Sequence, residues 1–264
     1  MTLVDDATSR TLGRLGTQET IWAAVDVLRR WIEAYGVPHA LYTDWKNVYV
    51  RSPTQAEQAA GTVPLTQFGR MCAALDIRII AANSPQATGR VERNHGTQQD
   101  RLVKKLRLLG IADAATANAF LATTHWPEHN ARFARPATSA DDFHRRAPGR
   151  MRLDAVFQLE HHRVLSNDWV VQYATRCFQL VRQSGQPPAR RAVLIRETAT
   201  GVLDICYGGR RMQWTELPAA PRPARAPRPV VVPRVPCRPS ADHPWNRDTR
   251  PADEARARSR AEYG

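Results

Sequence analysis

Between Ile77 and Leu109 the chain changes its hydrophobic period once, and that change limits what it can fold into. Ile77, Ile79 and Ile80 form a short apolar run of strand character, Ser84-Pro85-Gln86 breaks it, and Gly89 permits a tight passage. From Arg90 onward Val91, Gln98, Leu102, Leu106 and Leu109 fall on one side at helical spacing, and Gly110 supplies a C-terminal stop. A strand feeding a long helix is a unit of α/β folds. Glu92 sits in the first turn of the expected helix, where an acid can simply favour the helix dipole. Asp44, which ends another apolar run, Ala40-Leu41-Tyr42-Thr43, opens a second possibility. In open sheets with parallel strands, sites gather at the C-terminal edge, and both acids follow strands.

The neighbouring segments fit the same class. Met1 to Val4 is a short apolar run ending at Asp5-Asp6, and Ala7 to Arg10 reads as a turn into a second strand, Thr11 to Leu15. Thr17 is the expected N-cap of a first helix carrying Ile21, Ala24, Val25, Leu28, Trp31, Ile32 and Tyr35, stopped by Gly36-Val37-Pro38. Residues 51–63 are polar and turn-rich, a surface insertion or loop. Thr66 caps a helix through Phe68, Met71, Cys72 and Leu75. A further helix is expected from about Asp113 to Thr124, and another starts at Trp126.

After Arg150 the pattern turns to short β-branched or aromatic runs: Val156–Leu159, Arg163–Leu165, Trp169–Tyr173, Phe178–Leu180, Ala192–Ile195 and Val202–Tyr207. Five or six short strands in so few residues imply a small all-β barrel. From Leu217 onward Pro and Arg alternate, a composition that cannot bury a core and is expected to be disordered. The expected division is therefore 1–148 for an α/β core, 151–216 for the barrel and 217–264 for a basic tail.

Charge narrows the partner. With 38 basic against 25 acidic residues the chain carries a net +13, which favours a polyanion, nucleic acid above all, over a solvated basic surface. No apolar span or basic amphipathic anchor points to a membrane. Cys72, Cys177, Cys206 and Cys237 make no CxxC pair, so neither a zinc ribbon nor a disulfide framework is indicated. The start MTLVDDATSR lacks a signal-peptide pattern, and a reducing, cytoplasmic setting is expected.

Thr43-Asp44 and Ser84-Pro85-Gln86-Ala87-Thr88-Gly89-Arg90-Val91-Glu92, taken together, resemble the catalytic core of retroviral-type integrases and DDE transposases, which have an RNase H-like fold. The wording VDDATSR, LYTDWKNVY, SPQATGRVERNHGTQQDRLVKKLR, EHNARFAR and SNDWVVQY is similar to that of bacterial insertion-sequence transposases, over roughly residues 1–216. The resemblance implies an RNase H-like integrase core, a mixed sheet flanked by helices, followed by the barrel and the tail. It also implies that Asp44 and Glu92 belong to a catalytic carboxylate triad that holds Mg²⁺ (or Mn²⁺) for DNA strand cleavage and strand transfer. The two acids lie 48 residues apart, more than is usual in the family, and the 51–63 insertion accounts for most of the excess. Carboxylates suit the task because hard divalent ions prefer oxygen ligands, and a metal pair activates the attacking hydroxyl and stabilises the leaving oxygen without a covalent protein nucleophile.

Asn47, Gln86 and His95 are candidates for contacts around metal and DNA. Arg90, Arg93, Arg101, Lys104, Lys105 and Arg107 are candidates for phosphate contacts on the Glu92 helix, against the simpler role of a charged helix face. The resemblance further implies transposon ends and target DNA as partners, a homo-oligomer on DNA, and association with the nucleoid. In the family the first catalytic Asp lies on a strand preceding the one that Met1–Val4 resembles. Asp5 and Asp6 match the turn after that strand, where a turn role is expected. Weak or no strand transfer is accordingly expected of the chain as it stands. The alternatives are a noncatalytic DNA-binding or assembly remnant of a transposase and, less well matched, a general nuclease of the same fold. His125 and His129 have the spacing of helical zinc ligands, but Pro127 lies between them and no third ligand is evident. They and the His161-His162 doublet are expected to be structural or surface residues.

Overall fold

In chain order the computed structural model has β1 (Thr2–Val4), β2 (Thr11–Gly13), α1 (Ile21–Tyr35), β3 (Ala40–Thr43), α2 (Gln55–Ala59), α3 (Gln67–Ala74), β4 (Arg78–Ala81) and α4 (Pro85–Leu108). There follow α5 (Ala114–Phe120), a π-helical turn (Leu121–His125), α6 (Trp126–Phe133) and α7 (Arg150–Val156). The last strands are β5 (Leu159–Val164), β6 (Val170–Tyr173), β7 (Arg176–Leu180), β8 (Ala192–Glu197), β9 (Leu203–Tyr207), β10 (Arg210–Met212) and β11 (Trp214–Leu217). The structure describes all residues except 44–47, 50–51, 53–54, 60, 62–63, 82–84, 184–186, 219–239, 241–242 and 244–264. Met1–Pro218 form one compact unit of mixed α/β architecture.

α1 forms because its apolar residues recur at helical spacing and both ends are closed. Thr20, rather than the expected Thr17, is its N-cap: the Thr20 side chain accepts a hydrogen bond from Ala23 N at 3.2 Å. Thr20 is the threonine that immediately precedes the first helical residue, which puts its oxygen over the open amides of the first turn. At the other end Gly36 takes φ +99, and a Cβ there would lie 2.6 Å from Arg145 O, so glycine is required twice over. Val37 and Arg145 then exchange both backbone hydrogen bonds, at 2.8 and 2.9 Å.

The buried face of α1 (Ala24, Val25, Leu28, Ile32) packs on Phe68, Met71, Cys72 and Leu75 of α3 and its C-cap, with Leu3, Leu41 and Ile79 of the strands against the same core. Thr66 caps α3 as expected, accepting from Gly69 N at 2.9 Å. Leu28 and Ile32 are essentially inaccessible to solvent, and truncating either to Ala would cost about 2–5 kcal/mol. Around this core β1 pairs antiparallel with β2, and β3 pairs parallel with β4. Among the described residues no ladder joins β1 to β3. The expected 51–63 loop contains the short helix α2, its other residues lying partly outside the described ones.

β2, expected to reach Leu15, ends at Gly13, because its outer edge meets side chains instead of a strand. Asn130 Oδ1 accepts from Thr11 N at 2.8 Å while Asn130 Nδ2 donates to Thr11 O at 2.9 Å. Asn118 makes the same pair of bonds with Leu15, both at 2.9 Å, and Trp126 Nε1 donates to Gly13 O at 2.7 Å. The π turn makes this possible. Twelve residues of uninterrupted α-helix would leave Asn118 and Asn130 about 120° apart, and absorbing one residue in the π turn reduces that to about 20°.

After α6 the expectation of a strand at Val156–Leu159 is corrected: α7 occupies 150–156. Leu153 and Phe157, four apart, pack into the same core as α1 and α3, so helical period prevails over the β-branched run. The remaining strands form two antiparallel sheets, β10-β9-β8-β5 and β11-β7-β6, around a second core of Leu165, Val171, Phe178, Ile195 and Ile205 among others. Among the described residues seven strands are present rather than five or six, and their ladders do not close into a barrel. Gln67 of α3 seals the edge of β5, donating to Glu160 O at 2.5 Å and accepting from Glu160 N at 3.0 Å. Leu217, placed in the basic tail by composition, is the last residue of β11 and pairs with Cys177. The rest of the tail after Pro218 falls almost entirely outside the described residues.

Candidate active site

The parallel register of β3 and β4 sets Thr43 beside Ala81. The strand leading to Asp44 and the strand leading to α4 therefore end at the same edge of the sheet. Asp44 and Asn47 themselves lie outside the described residues. Thr43 Oγ1, at that edge, is buried without a hydrogen-bond partner among the described residues.

α4 begins at Pro85, five residues before the expected Arg90. Proline lacks an amide that the first turn would leave unbonded anyway and has its φ preset for a helix, so Pro85 opens the helix instead of breaking the chain. Gly89, expected to serve a tight passage, is helical, and apart from its own helix backbone and chain neighbours no atom of the described residues lies within 4 Å of a Cβ added there. Glu92 consequently sits in the third turn, not the first, and is exposed. The helix-dipole explanation for an acid there loses force, since that effect is confined to the first turn. At the far end Gly110 has φ +64, with Gly110 N donating to Arg107 O at 3.1 Å and Ile111 N to Leu106 O at 2.9 Å, the double bond pattern of a glycine stop. Gln98 and Leu102 are buried as their spacing predicts. Leu109, expected on the same face, is 57% exposed because the helix has already ended at Leu108.

Opposite Glu92, α4 is fixed by polar side chains that packing alone would not predict. Asn94 Nδ2 donates to Thr11 Oγ1 at 2.8 Å and lies 3.3 Å from His129 Nε2. Gln98 Nε2 donates to His129 Nδ1 at 3.2 Å, and His125 Nε2 donates to Gln98 Oε1 at 2.6 Å. Both histidines are buried. Burial, then the nearby Lys105 charge, pushes His125 down to about 4; burial, then Arg101 and Lys105, lowers His129. They are thus structural, as expected, and serve to register α4 against α6 and β2. His161, half-buried against the Tyr173 ring at 5.1 Å, is lowered by its own burial first, and its neighbour His162 is exposed. Among the described residues no group of three His, Cys, Asp or Glu could hold a metal ion.

The other predicted residues are distributed along α4. Gln86 and Arg90 fall in its first two turns, their side chains outside the described part. Arg93 is exposed and its Nε donates to Gly89 O at 3.0 Å. His95 is exposed and lines a cleft of about 150 Å³ with Gln99, Met1, Thr2 and Arg14. Lys104 pairs with Asp100 and Lys105 with Glu128, both in solvent, and Arg107 is exposed. Arg101 stands over the Phe133 ring, 5.0 Å from its centroid. Asp5 has the turn role expected of it, accepting from Thr8 N at 3.0 Å and from the Thr8 hydroxyl. Sequence reasoning missed Asn94 and Gln98 as anchors, and Arg132, which shares Phe133 with Arg101. The 125/129 histidine spacing was the signal available for the first.

No family model matches the chain. It is 38% identical over 156 residues to y4bF of Sinorhizobium fredii (strain NBRC 101917 / NGR234), a protein named as a transposase, covering 58% of this chain and 33% of that protein. It is 28% identical over 206 residues to the transposase for insertion sequence IS1202 of Streptococcus pneumoniae, covering 78% of this chain and 42% of that protein. The chain thus spans between a third and a little over two-fifths of the length of these relatives. Among the described residues no helix is long and apolar enough to cross a membrane. The chain is thus similar to two bacterial proteins named as transposases, one of them the transposase for an insertion sequence.

Proposed function

We propose that the chain is the core portion of a transposase that cuts DNA at transposon ends and joins the ends to target DNA, with Asp44 and Glu92 as its metal-binding carboxylates. The observation that carries this is the shared sheet edge: β3 and β4 run parallel with Thr43 beside Ala81, Asp44 follows Thr43 directly in sequence, and Glu92 lies on α4, the helix after β4. The RNase H-like identity of the first part, and the barrel-like character of 151–216, belong to the same proposal. They draw support from the strand-to-helix order and from two antiparallel sheets sharing one apolar core. Assembly as a homo-oligomer on DNA goes with it.

The donor chemistry fits the implied metal, since two carboxylates offer hard oxygen ligands and Glu92 faces solvent rather than a hydrophobic core. Mg²⁺ or Mn²⁺ held by Asp44 and Glu92 would supply activation of water or a DNA 3′-hydroxyl and stabilisation of the leaving oxygen. The protein's own contribution is positional. Asn94 and Gln98 fix the rotation of α4, so that Glu92 is presented on the flank away from α6. Arg93, Arg107, Lys104 and Lys105 add positive charge along the helix for phosphate contact. Exposed ion pairs such as Lys104–Asp100 are weak and readily exchanged for a phosphate. With two carboxylates identified, the charge available is less than a three-carboxylate site would offer, so nicking is expected to be slow.

Mn²⁺ binding followed by electron paramagnetic resonance tests the site. The chain is expected to bind the ion, and Asp44→Asn and Glu92→Gln each to weaken binding by tenfold or so. Equal Mn²⁺ binding in all three proteins would remove both residues from the proposal.

A further inference from the structure

We propose that the seam between α4 and α6 holds a DNA phosphate between Arg101 and Arg132, on the flank of α4 turned away from Glu92. Both guanidinium groups converge on one ring: Arg101 lies 5.0 Å and Arg132 5.5 Å from the centroid of Phe133. Both arginines are exposed, and among the described residues neither forms an ion pair with an acid. Each ring contact offsets only part of the charge of the arginine that makes it, which leaves both able to attract an anion. Lys105 lies on the same side of the helix, and the positive field reaches the layer beneath, where Arg101 and Lys105 add to the effect of burial in lowering His129. An anion at this seam is attracted by both arginines. A phosphodiester suits it, because planar guanidinium groups donate pairs of parallel hydrogen bonds to its oxygens.

Position separates this seam from the carboxylates. Arg101 follows Glu92 by nine residues, about 13.5 Å along the axis and about 180° around it. The phosphate held here belongs to DNA running past the far flank of α4, not to the strand at Glu92. The choice of DNA as the polyanion rests on the transposase proposal above.

Binding of a fluorescein-labelled duplex to the full chain, followed by anisotropy over a range of salt, tests this. Arg101→Gln and Arg132→Gln are each expected to lower affinity about 5–10-fold near 0.1 M salt and to reduce the slope of log K against log salt by about 1. Arg101→Lys and Arg132→Lys keep the charge and should keep most of the slope, which separates lost charge from a disturbed fold. If the wild-type chain binds with a steep slope and both Gln variants bind identically to it, the seam is a cation–π brace and this inference falls while DNA binding stands. If the wild-type chain binds no duplex, both fall together.

Discussion

Asn130 serves Thr11, 119 residues earlier in the chain, as a neighbouring strand would, accepting from its backbone N at 2.8 Å and donating to its backbone O at 2.9 Å. With Asn118 on Leu15 and Trp126 on Gly13, three alternate residues along β2 and the segment that continues it are satisfied by a single helical run. An open edge would otherwise offer its amides and carbonyls to other chains. The same run carries the histidines that hold α4, so the edge closure and the orientation of Glu92 depend on one element.

Asn130→Ala removes two hydrogen bonds and leaves two backbone groups of the buried Thr11 unsatisfied, at a cost of about 2 kcal/mol. Asn130→Asp should be at least as harmful, because a carboxylate cannot donate to Thr11 O. Urea unfolding of the two variants measures both effects, and equal stability of Asn130→Asp and wild type would show that the Nδ2 bond contributes nothing.

Stability should fall as pH drops from about 6.5 toward 4. The folded protein holds His125 at about 4 and lowers His129 and His161, whereas the unfolded chain takes up these protons near the ordinary histidine range. Proton uptake then favours the unfolded state, by up to about 1.4 kcal/mol per pH unit for each histidine. Above about 6.5 both states are neutral at these sites and the effect vanishes. Glu128 and Asp113, whose values are also lowered, act only below the ordinary carboxylate range, so the window above it belongs to the histidines. Chemical denaturation at pH 7.5, 6 and 5 should show the loss, and a His125→Asn/His129→Asn double variant should lose the larger part of the slope.

Gly110→Ala should destabilise the protein by about 1 kcal/mol. The site is open, with no atom of the described residues beyond its chain neighbours within 4 Å of where an alanine Cβ would sit, so the cost is conformational, arising from φ +64. A thermal melt distinguishes this from Gly89→Ala, which places alanine inside an exposed helical turn and should be neutral or stabilising.

Gln67→Leu should free the edge of β5. Hydrogen exchange at the Glu160 amide, which donates to Gln67 Oε1, reports this directly and should accelerate well before global unfolding. Unchanged protection would mean that the ladder of β5 with β8 suffices to hold the strand.

Glu92→Gln should change stability by less than about 0.5 kcal/mol, because the residue is exposed. Any slow metal-dependent nicking by the chain should be lost with it. A large change in melting temperature would assign Glu92 a structural role instead.

The features legible in the sequence were local ones. The α/β alternation, the Thr66 cap, the Gly36 and Gly110 stops and the buried Gln98–Leu102 face follow from spacing and side-chain chemistry within one or two turns. The motif pair around Asp44 and Glu92 was legible as a resemblance, and the register of β3 with β4 puts the ends leading to it side by side. What tertiary structure alone decided rests on partners far apart in the chain. Pro85 could be read as a breaker or as an opener, and the choice moved Glu92 from the first turn to the third. Asn118, Asn130 and Gln67 look like ordinary polar surface residues until strand edges 103, 119 and 93 residues away need closing. Periodicity reports which face of an element is apolar. It carries no record of which distant backbone group a side-chain amide will satisfy, and those bonds fix where β2 ends, how β5 is held and which way the Glu92 helix turns.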